Sequence, residues 1–284
     1  MSARATANDF HQYFTYLNPD RYLPSWRHFY ESSLAQAEAV RAEFDHEIGI
    51  HYGDDERQVL NVYRPTDGAQ RPVIIFFHGG RWREGHPDFY DHLGAPWVRD
   101  GAVFVSAGYR LEPDATTDES IDDVISAIAW VTDHAVEHGI DPHQIIVAGH
   151  SAGAHMAVMA ANTDWAPAAL EGGTIRAVLC LSAPVDLQSM GMTADQSAAL
   201  DPTKRLVDGP PVLVSYGVPE ANRNGDDPML FRDQGEYLAA ALRERGASVD
   251  VAALPDTDHI QSAAVLADRN SDYFRRAHAL VFGA

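Results

Sequence analysis

The five residues Gly149-His150-Ser151-Ala152-Gly153 constrain this chain more than anything else in it. They lie between Gln144-Ile145-Ile146-Val147-Ala148, which reads as a buried strand, and Ala154 to Asn162, whose alanines and methionines read as a helix. A Gly-x-Ser-x-Gly run at a strand-to-helix turn puts the serine on a sharp, strained bend with its hydroxyl presented at the top of a sheet. The glycines are required because that bend leaves no space for side chains on either side of the nucleophile. The motif therefore predicts a chain that alternates strands and helices.

The rest of the sequence follows that alternation. Strands are predicted at His46–Tyr52, Val59–Tyr63, Val73–Phe77, Val103–Ser106, Gln144–Ala148, Ala177–Leu181, Val212–Tyr216 and Val249–Ala253. Val73 to Phe77 is continuously apolar, as a strand covered on both faces must be. Ile121, Val124, Ile125, Ile128 and Val131 fall near one face of a helix, and Asp141-Pro142 is expected to stop the chain before the next strand. The first two strands are close enough to form an antiparallel hairpin before the sheet turns parallel. The prediction is an α/β protein with an eight-stranded, mostly parallel sheet and helices on both faces, built as a single domain over residues 1–284. Residues 9–44 precede the sheet as an N-terminal cap segment and hold Phe10, Tyr13, Phe14, Tyr16, Tyr22, Trp26, Phe29 and Tyr30. Such a segment either covers a pocket or fastens a helix to the body.

Charge and cysteine content narrow the partners. Asp+Glu is 41 against 21 for Lys+Arg, a net charge of -20, and no basic stripe offsets it, so nucleic acid is not expected as a partner. Lys204 is the sole lysine and follows no glycine-rich run, which removes the P-loop. Cys180 is the sole cysteine, so neither an intrachain disulfide nor a Cys-based zinc site is expected. Met1 to Phe10 has no apolar core of the kind a secretory signal needs, and no apolar run approaches the ~18 residues of a membrane span. These features lead us to expect a cytoplasmic protein with a small-molecule substrate, no cofactor, no resident metal and no membrane contact, with a homodimer left open.

A serine hydroxyl needs a base to take its proton, and in folds with this turn an acid and then a histidine follow the serine. Three histidines follow Ser151. His155 is one helical turn on, too local to arrive on a separate loop, and His278 lies in a terminal helix pattern where an exposed face is expected. His259 follows the last strand in the polar loop Pro255-Asp256-Thr257-Asp258 and is the candidate base. Such a base must be neutral to act, so kcat/KM is expected to fall as pH drops through roughly 6 to 7. Glu220 is the first carboxylate beyond the strand at Val212 and is the candidate acid, with Asp227 and Asp226 as alternatives. Ala152 N–H, directly after the nucleophile, and the N–H groups of Gly79 and Gly80 in His78-Gly79-Gly80-Arg81-Trp82 are the candidate oxyanion donors.

These residues resemble the α/β-hydrolase superfamily, and within it the kynurenine formamidase (arylformamidase) group near the hormone-sensitive-lipase-like esterases. The similarity rests on His78 to Trp82, Gly108-Tyr109-Arg110-Leu111-Glu112-Pro113, Gly149 to His155 and Asp256 to His259. It is extended by Tyr52-Gly53-Asp54, Val62-Tyr63-Arg64-Pro65 and Tyr16-Leu17-Asn18-Pro19. The resemblance implies an α/β-hydrolase fold and a cofactor-free Ser-His-acid hydrolase with Gly79, Gly80 and Ala152 at the oxyanion hole. Two places depart from the family pattern. Ala221 to Pro228 looks like an insertion beside the acid. Arg81 stands where an aromatic or small polar residue is usual, and is expected either to meet a substrate carboxylate or to lie solvated at the pocket rim. Arg81 and Trp82 are the candidate substrate-binding side chains.

Three function classes compete. The first is hydrolysis of a small ester or aryl amide through an acyl-enzyme, with formamidase, short-chain carboxylesterase and lactonase differing only in pocket contacts. The second is a non-catalytic receptor that keeps the fold, which the full set of Ser151, Glu220 and His259 argues against. The third is a metallohydrolase using the cluster His86, Asp88, Asp91 and His92. No His-Glu-x-x-His is present, and Pro87 suggests that this cluster is an exposed first helical turn.

Overall fold

A computed structural model describes residues 24–66, 69–164, 173–220, 227 and 229–283. The strands are β1 (Asp45–His51), β2 (Val59–Arg64), β3 (Arg71–Phe77), β4 (Val103–Ala107), β5 (Ile140–His150), β6 (Ile175–Leu181), β7 (Val212–Val218) and β8 (Val249–Pro255). They form one sheet in the order β1-β2-β4-β3-β5-β6-β7-β8. β1–β2 and β2–β4 pair antiparallel, and every later pair is parallel. The eight expected strands are all present. β1, β3 and β6 start one or two residues earlier than expected, and β5 starts four earlier, at Ile140 rather than after Asp141-Pro142. Its pairing with β3 jumps from Arg71–Ile140 to Val73–Ile145, so the proline passes through the ladder as an irregularity where no N–H donor is needed.

The helices are α1 (Pro24–Glu43), α2 (Ala95–Arg99), α3 (Thr117–Asp133), α4 (Ala152–Asn162), α5 (Ala194–Leu200), α6 (Leu230–Glu244), α7 (Gln261–Ala264) and α8 (Asp272–Phe282). α3 starts at a capping box in which Thr116 Oγ1 accepts from Glu119 N–H and Glu119 accepts from Thr116 N–H, satisfying two orphan donors. The central strand β3 divides the core by strict alternation. Ile75 and Phe77 join Ile121 and Val124 of α3, Met156 and Val158 of α4 and Leu238 of α6. Ile74 and Phe76 point the other way, toward Tyr30 and Val40 of α1, Trp97 of α2 and Tyr273 and Phe274 of α8. Helices thus cover each face of the sheet, and in open α/β sheets of this kind ligands bind beyond the carboxyl ends of the strands.

Residues 9–23 of the expected cap segment lie outside the described residues, as does the Trp26 side chain. Helix α1 packs on two 3-10 turns, Pro87–Phe89 and Asp91–Gly94. Tyr30 is buried there, its hydroxyl 3.1 Å from that of Tyr90. Among the described residues no helix is long and apolar enough to cross a membrane.

Candidate active site

Four strand ends meet at one point. β5 delivers Ser151 with φ 54° and ψ -121°, a left-handed backbone that non-glycine residues rarely adopt and that stores strain of about 1–3 kcal/mol. The surrounding contacts explain the glycines. A Cβ on Gly149 would stand 2.4 Å from the Gly153 carbonyl carbon, and one on Gly153 would stand 2.1 Å from the Phe77 carbonyl oxygen. Ser151 N–H donates to Leu181 O at 2.9 Å, which ties the bend to the end of β6.

β8 ends at Pro255 and releases the loop that carries His259, whose Nε2 lies 2.9 Å from Ser151 Oγ. β7 ends at Val218 and releases Glu220, whose Oε1 lies 2.5 Å from His259 Nδ1. A carboxylate can only accept, so Nδ1 carries the proton and Nε2 presents a lone pair to the serine hydroxyl. Glu220 is fully buried, and its Oε2 accepts from Gly217 N–H at 2.7 Å. Burial pushes its carboxyl up to about 7, against the pull of the Gly217 N–H and of the Ser182 hydroxyl, which also bonds it. The loops of acid and base are pressed together: a Cβ on Gly217 would stand 2.0 Å from Thr257 O, and Asp256 N–H donates to Val218 O at 3.1 Å. Of the alternative acids, Asp227 is exposed and accepts from Met229 N–H ahead of α6, and Asp226 lies outside the described residues. The expected insertion, 221–228, is described only at Asp227.

β3 ends at Phe77 and runs into His78, Gly79 and Gly80. A Cβ on Gly79 would meet Ser151 Cβ at 3.0 Å and His150 Nδ1 at 2.8 Å, so only glycine lets this loop pass the nucleophile. Gly80 O accepts from Arg83 and Glu84 N–H, closing a turn in which Arg81 and Trp82 both have positive φ. Tyr109 supports the loop from below, its hydroxyl donating to His78 O at 2.7 Å while its ring stacks on the His78 ring at 4.4 Å. Among the described residues, the Gly79, Gly80 and Ala152 N–H groups form no hydrogen bond within the protein.

Arg81 and Trp82 line a cavity of about 530 Å³ with Glu112, Thr117, Met190 and Leu200 among its other walls. Neither Ser151 nor His259 lines it; its wall residue Trp82 packs edge-on against His155, one helical turn after the serine. Arg81 is half-buried and donates from Nη2 to Met190 O at 2.6 Å, bridging two walls. The remaining histidines have structural partners. His155 is buried and holds Leu200 O at 2.8 Å through Nε2. His278 is half-buried, stacked on Trp97 and 3.3 Å from Asp100.

One expectation is overturned. His86, Asp88 and Asp91 are not on an exposed turn; all three are buried. Asp91 Oδ2 is 2.9 Å from Arg41 Nη2 and accepts from the Tyr63 hydroxyl at 2.6 Å, while Asn61 Nδ2 donates to both Asp88 and Asp91. The partner that permits this burial is Arg41 on α1, 50 residues upstream of Asp91, and it cannot be read from local spacing. Sequence reasoning also missed Phe231, whose ring lies 3.9 Å from that of His259 at 17°, against the face of the base. Its place two residues into the helix after the acid carries no signal that would have found it.

Comparisons with known proteins bear on the family and the fold. A family model described as BD-FAE matches residues 60–221. The kynurenine formamidase of Danio rerio is 29% identical over 233 residues, covering 78% of this chain and 78% of that protein. The esterase LipQ of Mycobacterium tuberculosis is 32% identical over 238 residues, covering 74% of this chain and 56% of that longer protein. The crystal structure of esterase B from Lactobacillus rhamnosis superposes with a TM-score of 0.67 at 20% identity, over 90% of this chain and 93% of that one. The shared architecture is the α/β-hydrolase fold.

Proposed function

The chain belongs to the BD-FAE family, and from that premise we propose that it hydrolyses a small aryl formamide through an acyl-enzyme on Ser151. It is a serine hydrolase by fold and kinship, of the class that acts on small esters or amides. The observation that carries the site assignment is the unbroken line from Ser151 Oγ through the His259 ring to the buried Glu220.

In this reading Ser151 Oγ attacks the carbonyl carbon as His259 Nε2 takes its proton. Glu220 holds the imidazole in the productive tautomer and stabilises the imidazolium. The N–H groups of Gly79, Gly80 and Ala152 receive the developing oxyanion, each worth about 2.7–4 kcal/mol of barrier. His259 then returns the proton to the leaving amine or alcohol. Water attacks the acyl-enzyme by the same route and frees Ser151. The deep burial of Ser151, 6% exposed, suits an acyl group as small as formyl. The cavity that shares Arg81 and Trp82 with the oxyanion loop suits a larger aromatic leaving group. The lone, buried Cys180 needs no oxidising compartment, which supports a cytoplasmic enzyme.

The likeness to LipQ favours a second substrate reading, a short-chain ester or lactone, by the same mechanism. Measuring kcat/KM for N-formylkynurenine and for a short-chain p-nitrophenyl ester, with Ser151→Ala as the blank, separates them. Formamide preference lost in the variant supports the first reading. Ester preference lost in the variant moves the substrate to the second, and activity surviving in Ser151→Ala removes the site assignment.

A further inference from the structure

His150, the residue between the first motif glycine and the nucleophile, is 2% exposed and its side chain takes no part in the chemistry above. Its Nε2 lies 2.7 Å from the carbonyl oxygen of His259, and the two rings are 4.6 Å apart. A carbonyl can only accept, so the proton of His150 sits on Nε2. Nδ1 is then a lone pair. It has no hydrogen-bond partner among the described residues and faces Gly79, where a Cβ would stand 2.8 Å away. Burial and the neighbouring His259 hold the His150 imidazole down to about 3, so the ring stays neutral throughout the working range. One side chain therefore touches the carbonyl of the base and the back of the oxyanion loop, from the elbow that carries the nucleophile.

The second lone pair of that carbonyl is also taken. Ser262, fully buried on α7, donates its hydroxyl to His259 O at 2.7 Å. The Ser262 hydroxyl in turn accepts from the Ser182 hydroxyl at 2.8 Å. The loop is also fastened by Asp256 N–H to Val218 O, by Ser262 N–H to Asp258 O and by the solvent-exposed reciprocal pair Asp258 N–H to Gln261 Oε1 and Gln261 N–H to Asp258 Oδ1. The His259 peptide is thus anchored on the buried side by two donors on its oxygen. Rotation of that peptide swings the imidazole away from Ser151, and a misplacement of about 1 Å costs about 100-fold in rate.

We propose that His150 and Ser262 are positioning residues for the base, filling both lone pairs of the His259 carbonyl and so holding the imidazole between Ser151 and Glu220. The proposal rests on the serine-hydrolase reading of the same site. His150→Phe keeps an aromatic ring and removes the donor, whereas His150→Gln restores an amide N–H near the place of Nε2. The Phe variant is expected to lose about 10- to 100-fold in kcat with KM held within about twofold. The rate at which a p-nitrophenyl phosphonate labels Ser151 should fall by the same factor, and the Gln variant should recover most of both losses.

Wild-type kcat in His150→Phe overturns the proposal, as do equal losses in folded Phe and Gln variants, which would reduce the ring to filler. If the substitutions at 150 do not fold, Ser262→Ala against Ser262→Thr decides, read by kcat and labelling rate with thermal unfolding as the check on folding. A loss in Ala that Thr relieves supports the anchor; unchanged kcat in Ala overturns it. Failure of the underlying reading looks different, since activity would then persist in Ser151→Ala.

Discussion

Asp91 beneath helix α1 and Glu220 beside the base are both carboxyl groups with no exposure to water. Burial pushes both up to about 7, and for Asp91 the neighbouring Asp88 adds to the push. By titration alone they look alike. Their surroundings differ. Asp91 is closed off by Arg41 of α1 and by Tyr63 and Asn61 of β2, donors that lead to no reacting atom. Glu220 accepts from an imidazole whose other nitrogen faces the hydroxyl of a strained serine. A perturbed carboxyl marks a catalytic group only when its hydrogen-bond chain ends on a reacting atom.

Substitutions at the two carboxyls sharpen that contrast most. Glu220→Gln removes the acceptor that sets the tautomer of His259 and is expected to lower kcat by about 10⁴-fold. Asp91→Asn is expected to leave kcat per folded molecule close to wild type. Steady-state kinetics beside thermal unfolding of both variants reads the difference, and a collapse of kcat in folded Asp91→Asn breaks it. Next in size is Arg41→Met, which leaves Asp88 and Asp91 buried without their cation and should destabilise the fold by about 3–5 kcal/mol, measured by denaturant unfolding. Gly79→Ala touches the catalytic side only. Its Cβ would crowd His150 Nδ1 and Ser151 Cβ, and the resulting displacement of the residue 79 N–H from the oxyanion is expected to cost about 10²–10³ in kcat, with KM little changed.

The smallest effect per group is the pH dependence of stability. Burial lowers His78 and His150 to about 3 and His92 and His155 to about 4. The unfolded chain binds protons at these four sites below about 6.5 and the native state does not, so they reduce stability as pH falls from there. Asp91 and Glu220 act oppositely: the native state keeps protons that the unfolded chain releases above about 4, so they reduce stability as pH rises toward 7. His86 and His138, also lowered by burial, act in the same direction as those four, so the histidines outweigh the two carboxyls and stability should fall by about 2 kcal/mol per unit or more as pH drops from 6.5 to 4.5. Asp91→Asn removes one opposing group and should steepen that fall, whereas an unchanged slope in unfolding curves across this range contradicts the shift assigned to Asp91.

The same contrast explains what the sequence made legible. The eight strands were readable because short β-rich runs recur between helix-like stretches, and Gly149 to Gly153 lies where two of them bracket a turn. His259 stood out because the other two downstream histidines fall on helices. Glu220 was the first carboxylate after its strand, although the loop from Ala221 onward kept Asp226 and Asp227 in play. The buried cluster was misread as an exposed turn because Pro87 is a local signal and Arg41 a distant one. Phe231, Ser182 and Ser262 were invisible for a related reason: each acts across the site through the packing of separate loops, and nothing in its own neighbours marks it.

The central claim is that Ser151 alone among the nucleophiles is activated. Intact-mass spectrometry after one equivalent of a p-nitrophenyl phosphonate, followed by peptide mapping, tests it most directly. The account predicts a single adduct on Ser151 in the wild type and none in Ser151→Ala or His259→Ala. An adduct on another residue, or one that persists in Ser151→Ala, would contradict it.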